Sequence, residues 1–386
     1  MLADTDAGNI VTAAESGARW GYRLAPLLLL LVPVLIVVQD LAVRIGLFRQ
    51  CGFGELVRER FGRVGAFVAA AALVVATLGS LVTELTGIAG VGELYGASRW
   101  LVLPLASLTL ILVALTGEYR RVERVALLFG LFELSFLVVA WRSHPSGGEI
   151  IRDIADQKLT DFSYLYLGAG LIGATFNPWM IFYQASAVVE KRLSPSDYRA
   201  ARWDTAVGAV LTQLVTASVL VAIAALKRGG TGASLNDIGE ISQVLTPFLG
   251  EATGRIVFSA GVVGAAMAAA IVSSLACAWG LGEIFGLRRS LEREARHRLG
   301  FLSGYAFWVV GSAILVLFVP DLIWLSIGMQ VLNTVLLPVV VALLVILAAT
   351  ALPESARLRG WRLWVTAGVV GLVAIAGVAG AFAGLL

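Results

Sequence analysis

Two short stretches carry oxygen-bearing side chains into otherwise apolar sequence. One is Asp6-Ala7-Gly8-Asn9; the other is Gly173-Ala174-Thr175-Phe176-Asn177-Pro178-Trp179. Carboxylate and amide oxygens are hard ligands, suited to a cation. An ionisable group within apolar segments is costly and marks a pathway or a binding cavity. Gly8 and Asn9 are poor helix formers. Pro178 has no amide proton and clashes with the turn before it, and the residue preceding it, Asn177, is pushed out of helical geometry. Both stretches are therefore expected to be unwound, freeing backbone carbonyls that can join the side chains around an ion. Glu84 and Glu133 also interrupt apolar runs. Glu133 reads as a buried, hydrogen-bonded acid. Glu15 reads either as a lure for cations or as a solvated charge at a helix end. Asp4 reads either as a second charge near Asp6 or as a solvated acid. His144 and His297 lie in polar connections, and Cys51 and Cys277 form no CxxC pair. No nucleophile–base pair and no nucleotide loop is visible, so the sequence is not that of an enzyme, and it implies no cofactor.

The elements that must position these residues are membrane helices. Of 386 residues 59% are hydrophobic and 14% charged, with a mean hydropathy of +0.87; a soluble domain carries about 25% charged residues. The net charge of +3 is too small to suggest a nucleic-acid partner. A transmembrane helix needs about 20 mostly apolar residues. Besides the opening segment, spans are predicted at 24–43, 64–88, 100–116, 122–141, 163–189, 200–226, 254–281, 301–319, 323–350 and 363–385, making about 11. The longer connections, 142–162, 227–250 and 282–300, are of loop or short-helix length. The run 288–298 reads as an amphipathic connection at the lipid headgroups. Lys and Arg collect in alternate connections, for instance Arg58, Arg60 and Arg63, then Arg120, Arg121 and Arg124, then Lys191 and Arg192, then Arg288 and Arg289, then Arg357 and Arg359. By the positive-inside rule this places the N-terminus in the cytoplasm.

The two unwound stretches fall in spans one and six, five spans apart. Interrupted helices at matching places in two halves point to inverted repeats with the binding site between them. We read one transmembrane domain, 1–386, with repeat one at about 1–141, repeat two at about 163–350 and an extra helix at about 363–385. If the break sits at residues 6–9, the inner half of helix one has only Met1–Thr5, about 8 Å at 1.5 Å per residue, against about 15 Å for half a hydrocarbon core. The expectation is that Met1 is an internal methionine of a longer natural chain, or that part of the inner gate is missing.

These residues resemble the natural resistance-associated macrophage protein (NRAMP) family of divalent metal transporters. That family has Asp-Pro-Gly-Asn in its first helix and GATVMPHN in its sixth. Here Asp6-Ala7-Gly8-Asn9 leads into IVTAAESGARWGY, and GATFNPWM spans Gly173 to Met180. GELVRERFG (54–62), TELTGIAG (83–90) and MQVLNTVLLP (329–338) are similar more loosely. The resemblance implies an all-α membrane fold of LeuT-like five-plus-five inverted repeats with an added helix, helices one and six being broken. Carried over by position, it implies a metal site of Asp6, Asn9, the Ala174 carbonyl, Asn177 and Gln330. Gly8, Glu84, Pro178 and Trp179 then belong to the pathway or its gating. Asn333, three residues after Gln330 on one helical face, extends the polar ring.

The departures from the family pattern are specific. Asn177 stands where manganese and iron carriers have methionine, so a hard amide oxygen replaces a soft sulfur. Trp179 and Gln184 replace histidines, and Leu81 replaces an aspartate three residues before Glu84. These changes make the chain resemble the NRAMP-related magnesium transporter branch, importing Mg²⁺ and also Mn²⁺ without coupled protons. Mg²⁺ usually keeps several waters in protein sites, which suits one or two carboxylates among amide oxygens. At 100 mV, inside negative, a divalent cation gains about 4.6 kcal/mol, enough for about thousandfold accumulation unaided. The alternatives are a proton-coupled Mn²⁺/Fe²⁺ importer and an ion-coupled amino-acid carrier. The expected partners are the divalent ion and the lipid bilayer of the cell membrane; the sequence leaves the oligomeric state open.

Overall fold

The computed structural model describes residues 5–115, 130–226, 234–235, 237–245, 250–286 and 295–384, with Arg124 and Leu128. Asp4, the inner segment at residues 1–4, Arg120, Arg121, and 288–294 of the basic run lie outside the described residues. Every element among the described residues is helical. The helices are α1 (Ala7–Trp20), α2 (Ala25–Arg49), α3 (Phe53–Leu94), α4 (Arg99–Leu115), a 3₁₀ turn (Leu131–Leu134) leading into α5 (Ser135–Arg142), α6 (Gly147–Ala155), α7 (Phe162–Thr175), α8 (Pro178–Glu190), α9 (Tyr198–Leu226), α10 (Ile238–Leu245), α11 (Glu251–Phe285), α12 (Ala295–Phe318), α13 (Leu322–Thr350) and α14 (Trp361–Ala383). Helices fall on each of the predicted spans. Seven helical segments are long and apolar enough to cross a membrane, with Arg99–Leu115 and Ser303–Phe318 as shorter apolar helices, by length and composition among the described residues. Leu29, Leu30, Phe67, Trp141, Trp364 and Leu372 are exposed, as expected for side chains turned to lipid.

Three local features shape the frame around the site. Helix α1 starts at Ala7, with Asp6 as its N-cap in extended geometry accepting from the Asn9 N–H. This corrects the expectation for Gly8 and Asn9, which form the first helical turn; the departure from helix lies at Asp6. The reason is the cap itself, since a carboxylate satisfying a free N–H stabilises the turn that follows. Helix six is broken as the sequence predicts. α7 ends at Thr175, Phe176 and Asn177 are non-helical, and Pro178 opens α8, the position where its missing N–H costs nothing. The third feature is Gly62, with φ 64° and ψ −155°, which splits α3 into a foot and a long span.

The helices close on one another through small residues, as membrane helices do. Helix α13 packs against α3, α7 and α14, and α1 lies among α3, α7, α9 and α13. A Cβ at Gly173 would stand 1.8 Å from the Gln330 carbonyl oxygen and 2.4 Å from Thr334 Oγ1. The first of these is backbone and cannot swing aside, so Gly173→Ala must part α7 from α13. We expect it to destabilise the protein by about 1–3 kcal/mol or more, read as a lower melting temperature in detergent; unchanged melting would show that the two helices are not held this closely.

Polar ties anchor the ends. Glu283 of α11 is buried; its Oε2 accepts from the Gly54 N–H at 3.0 Å, and its Oε1 from Ser186 Oγ at 2.6 Å. It thereby caps the foot of α3 from outside and holds α8 to it. At the 142–162 connection, Arg23 pairs with Asp153 and Asp156. Lys158, then Arg23, holds the partly exposed Asp156 carboxyl below its ordinary range. Glu15 is not a solvated charge. It is 3% exposed, accepts from the Leu235 N–H at 2.8 Å and lies 3.9 Å from Arg19. Glu133 is fully buried.

Candidate functional site

The start of α1, the break between α7 and α8 and the middle of α13 meet at one buried point. Asp6 Oδ1 accepts from the Asn9 N–H at 2.6 Å. Gln330 Nε2 donates to Asp6 Oδ1 at 3.2 Å, and Asn177 Nδ2 donates to Asp6 Oδ2 at 3.3 Å. Asn177 Nδ2 also reaches the Ala174 carbonyl at 3.2 Å. That carbonyl is free of the helix ladder because its partner in an unbroken helix would be the N–H of residue 178, which proline lacks. Asn333 Nδ2 closes the circuit, donating to Asn177 Oδ1 at 2.7 Å and to Gln330 Oε1 at 3.1 Å. The result is a hydrogen-bonded ring of Asp6, Asn177, Asn333 and Gln330. Asp6, Asn9, Ala174, Asn177, Gln330 and Asn333 are all buried.

Glu84 stands beside this ring. Its Oε2 accepts from the Ala7 N–H at 3.0 Å, and Ser80 and Thr83 reach its Oε1 at 3.4 Å. Two carboxylates thus hold the first free amides of one helix, where its dipole favours negative charge. The sequence names Glu84 but gives no sign of this bond, because α1 and α3 are brought together only by packing.

Gly8 has a geometric role. A Cβ there would stand 1.9 Å from Gln330 Nε2, so glycine is what lets α13 place its amide over Asp6. Trp179 is buried in the apolar cluster that also holds Phe176 and Phe182; its indole N–H has no hydrogen-bond partner among the described residues. Leu81 is buried among apolar side chains, and Gln184 donates away from the ring, to Thr205 Oγ1 at 3.3 Å. Gln213 was not singled out from the sequence. Its Nε2 bonds Thr175 Oγ1 at 3.1 Å, at the last turn of α7. An amide in the middle of the apolar run 200–226 was the signal available for it.

Among the described residues no group of three or more His, Cys, Asp or Glu is placed to hold a metal. Each amide offers a carbonyl oxygen and an NH₂ at nearly the same place, exchanged by a half turn.

The profile of the family described as natural resistance-associated macrophage protein-like, Nramp, matches residues 1–383. The chain belongs to the Nramp family. Nramp members are membrane transporters, not enzymes. Among curated relatives, divalent metal cation transporter MntH of Xylella fastidiosa (strain Temecula1) is 27% identical over 292 residues, covering 70% of this chain and 60% of its own length. MntH 1 of Pseudomonas aeruginosa is 29% identical, covering 70% of this chain and 64% of its own length. The Nramp chain is thus matched over about three fifths of these relatives' length. Among solved structures, the Eremococcus coleocola manganese transporter in complex with an aromatic bis-isothiourea compound superposes with a TM-score of 0.76 at 19% identity, covering 100% of this chain and 85% of that one. MhsT in complex with L-phenylalanine gives 0.63 at 13% identity, covering 98% of each. The fold of this Nramp chain is LeuT-like.

Proposed function

We propose that this chain carries divalent metal cations across the cell membrane into the cytoplasm by alternating access. Its preference is for hard ions, Mg²⁺ foremost and Mn²⁺ also, and no proton is coupled. The N-terminus lies on the cytoplasmic side, and the five-helix repeats bounded at about 141, 163 and 350 move against each other around the ring. Asp6, Asn9, the Ala174 carbonyl, Asn177 and Gln330 hold the ion. The observation that carries this reading is the ring, a single carboxylate bonded by side-chain amides, with one released carbonyl beside it and no sulfur among its groups. Such a set suits a partly hydrated Mg²⁺. Apolar Leu81 and Trp179 and amide Gln184 support an uncoupled carrier, because none of them titrates near neutral pH as histidine does.

A proton-coupled manganese importer is the second reading. Its manganese is favoured by the name of the Eremococcus coleocola manganese transporter, and its proton by Glu84 beside the ring. An amino-acid carrier shares the fold, but the Asp6 carboxylate at the start of α1 would repel the substrate's own. Proteoliposomes loaded with a pH-sensitive dye, with the membrane potential clamped, separate the three. Expected are uptake of Mg²⁺ and Mn²⁺, no uptake of phenylalanine, and a steady lumenal pH. Metal-driven acidification of the lumen would overturn the uncoupled mechanism and make Glu84 the candidate proton carrier.

A further inference from the structure

Asn333 makes no hydrogen bond to Asp6, yet it decides how the ring can rearrange. In the ring its Nδ2 holds the oxygens of both Asn177 and Gln330, at 2.7 and 3.1 Å. Those two amides consequently turn their NH₂ groups to Asp6. Asn333 Oδ1, on a side chain 1% exposed, has no hydrogen-bond partner among the described residues. A buried acceptor left unmade costs free energy comparable to a lost hydrogen bond, and such an atom calls for a reason.

The reason follows from what a cation requires. To meet it with oxygen, Asn177 and Gln330 must each make a half turn, which sends both NH₂ groups toward Asn333. Donor would then face donor unless Asn333 turns as well. Once it does, its carbonyl oxygen receives the two NH₂ groups. The acceptor without a partner in the ring is the acceptor that the turned ring needs.

We propose that Asn333 is a positioning residue that couples Asn177 and Gln330, so that the ion meets the oxygens of both or of neither. The inference rests on reading the Asp6 ring as the ion site. It makes the three amides a two-state element, one state satisfied by Asp6 and the other by the cation.

The test is calorimetric titration of Mn²⁺ and Mg²⁺ into the purified chain in detergent, with melting of the metal-free protein as the control for folding. Asn333→Leu, similar in size and without polar atoms, is expected to weaken both ions about 5- to 150-fold. In an Asn177→Ala background the same change should cost at least threefold less, because one of the residues it acts through is gone; coupled neighbours are non-additive in this way. Asn333→Asp, which accepts and cannot donate, holds the turned state and should bind no more weakly than the natural chain. Asp6→Ala tells the two readings apart. If it keeps full affinity, the site reading fails and this inference with it. If it loses affinity while Asn333→Leu does not, or while the Asn333→Leu loss is undiminished beside Asn177→Ala, the coupling alone is overturned. Should Asn333→Leu not fold, Asn333→Asp decides, and a loss beyond tenfold overturns the proposal.

Discussion

Asp6→Ala is expected to weaken binding and uptake of every divalent cation, while Asn177→Met changes which cation is taken. Asp6 is fully buried, and it is the carboxylate that the amides of Asn177 and Gln330 address in the ring. Leaving a buried charge without its counter-charge costs about 3–5 kcal/mol, or roughly 150- to 4,000-fold in affinity. Asn177→Met removes a hard oxygen and supplies a soft sulfur that Mg²⁺ does not use and Mn²⁺ and Cd²⁺ accept better. The lost oxygen is worth about 1–3 kcal/mol, roughly 5- to 150-fold for Mg²⁺. Uptake of Mg²⁺ and Cd²⁺ by both variants in proteoliposomes checks this. An unchanged Mg²⁺:Cd²⁺ ratio in Asn177→Met, with Asp6→Ala inactive, would make Asn177 a helix breaker beside Pro178 and withdraw the main residue-level support for magnesium.

Gly8→Ala is expected to separate stability from function. Alanine at a helical position is favoured over glycine by about 1 kcal/mol, and Gly8 lies in the first turn of α1 with an ordinary helical backbone. The added Cβ meets Gln330 Nε2 at 1.9 Å and Cδ at 2.9 Å. Those atoms end a flexible side chain, so the fold yields by moving the Gln330 amide off Asp6. The variant should melt no lower than the natural protein and bind Mn²⁺ and Mg²⁺ about 5- to 150-fold more weakly. Unaltered affinity with unaltered melting would take Gln330 out of the site.

The sequence carried the spans and the break in helix six because both follow from local rules. An apolar run of sufficient length reads as a span, and Pro178 removes a donor from the ladder wherever it stands. Asn333 was legible beside Gln330 through helical spacing alone. Other features depend on contacts between distant segments. The bond from Ala7 to Glu84 joins residues 77 apart, and that from Leu235 to Glu15 joins residues 220 apart. Charge pattern left Glu15 open between solvent and a lure for cations, and the backbone amide that buries it belongs to a connection whose course the sequence does not fix. The reading of Gly8 and Asn9 as unwound weighed their helix propensity and left out the cap that Asp6 provides.

The burial of the ring has a kinetic consequence. A cation seated, as proposed, among Asp6, Asn177 and Gln330, each at most 1% exposed, would be enclosed by the described residues around it. Its departure would wait on movement of whole helices, which takes microseconds to milliseconds. Throughput is then set by the clock of those movements and not by diffusion. Raising the ion concentration fills the seat without shortening the cycle, so the flux is expected to level off at about 10³ to 10⁶ ions per second at most.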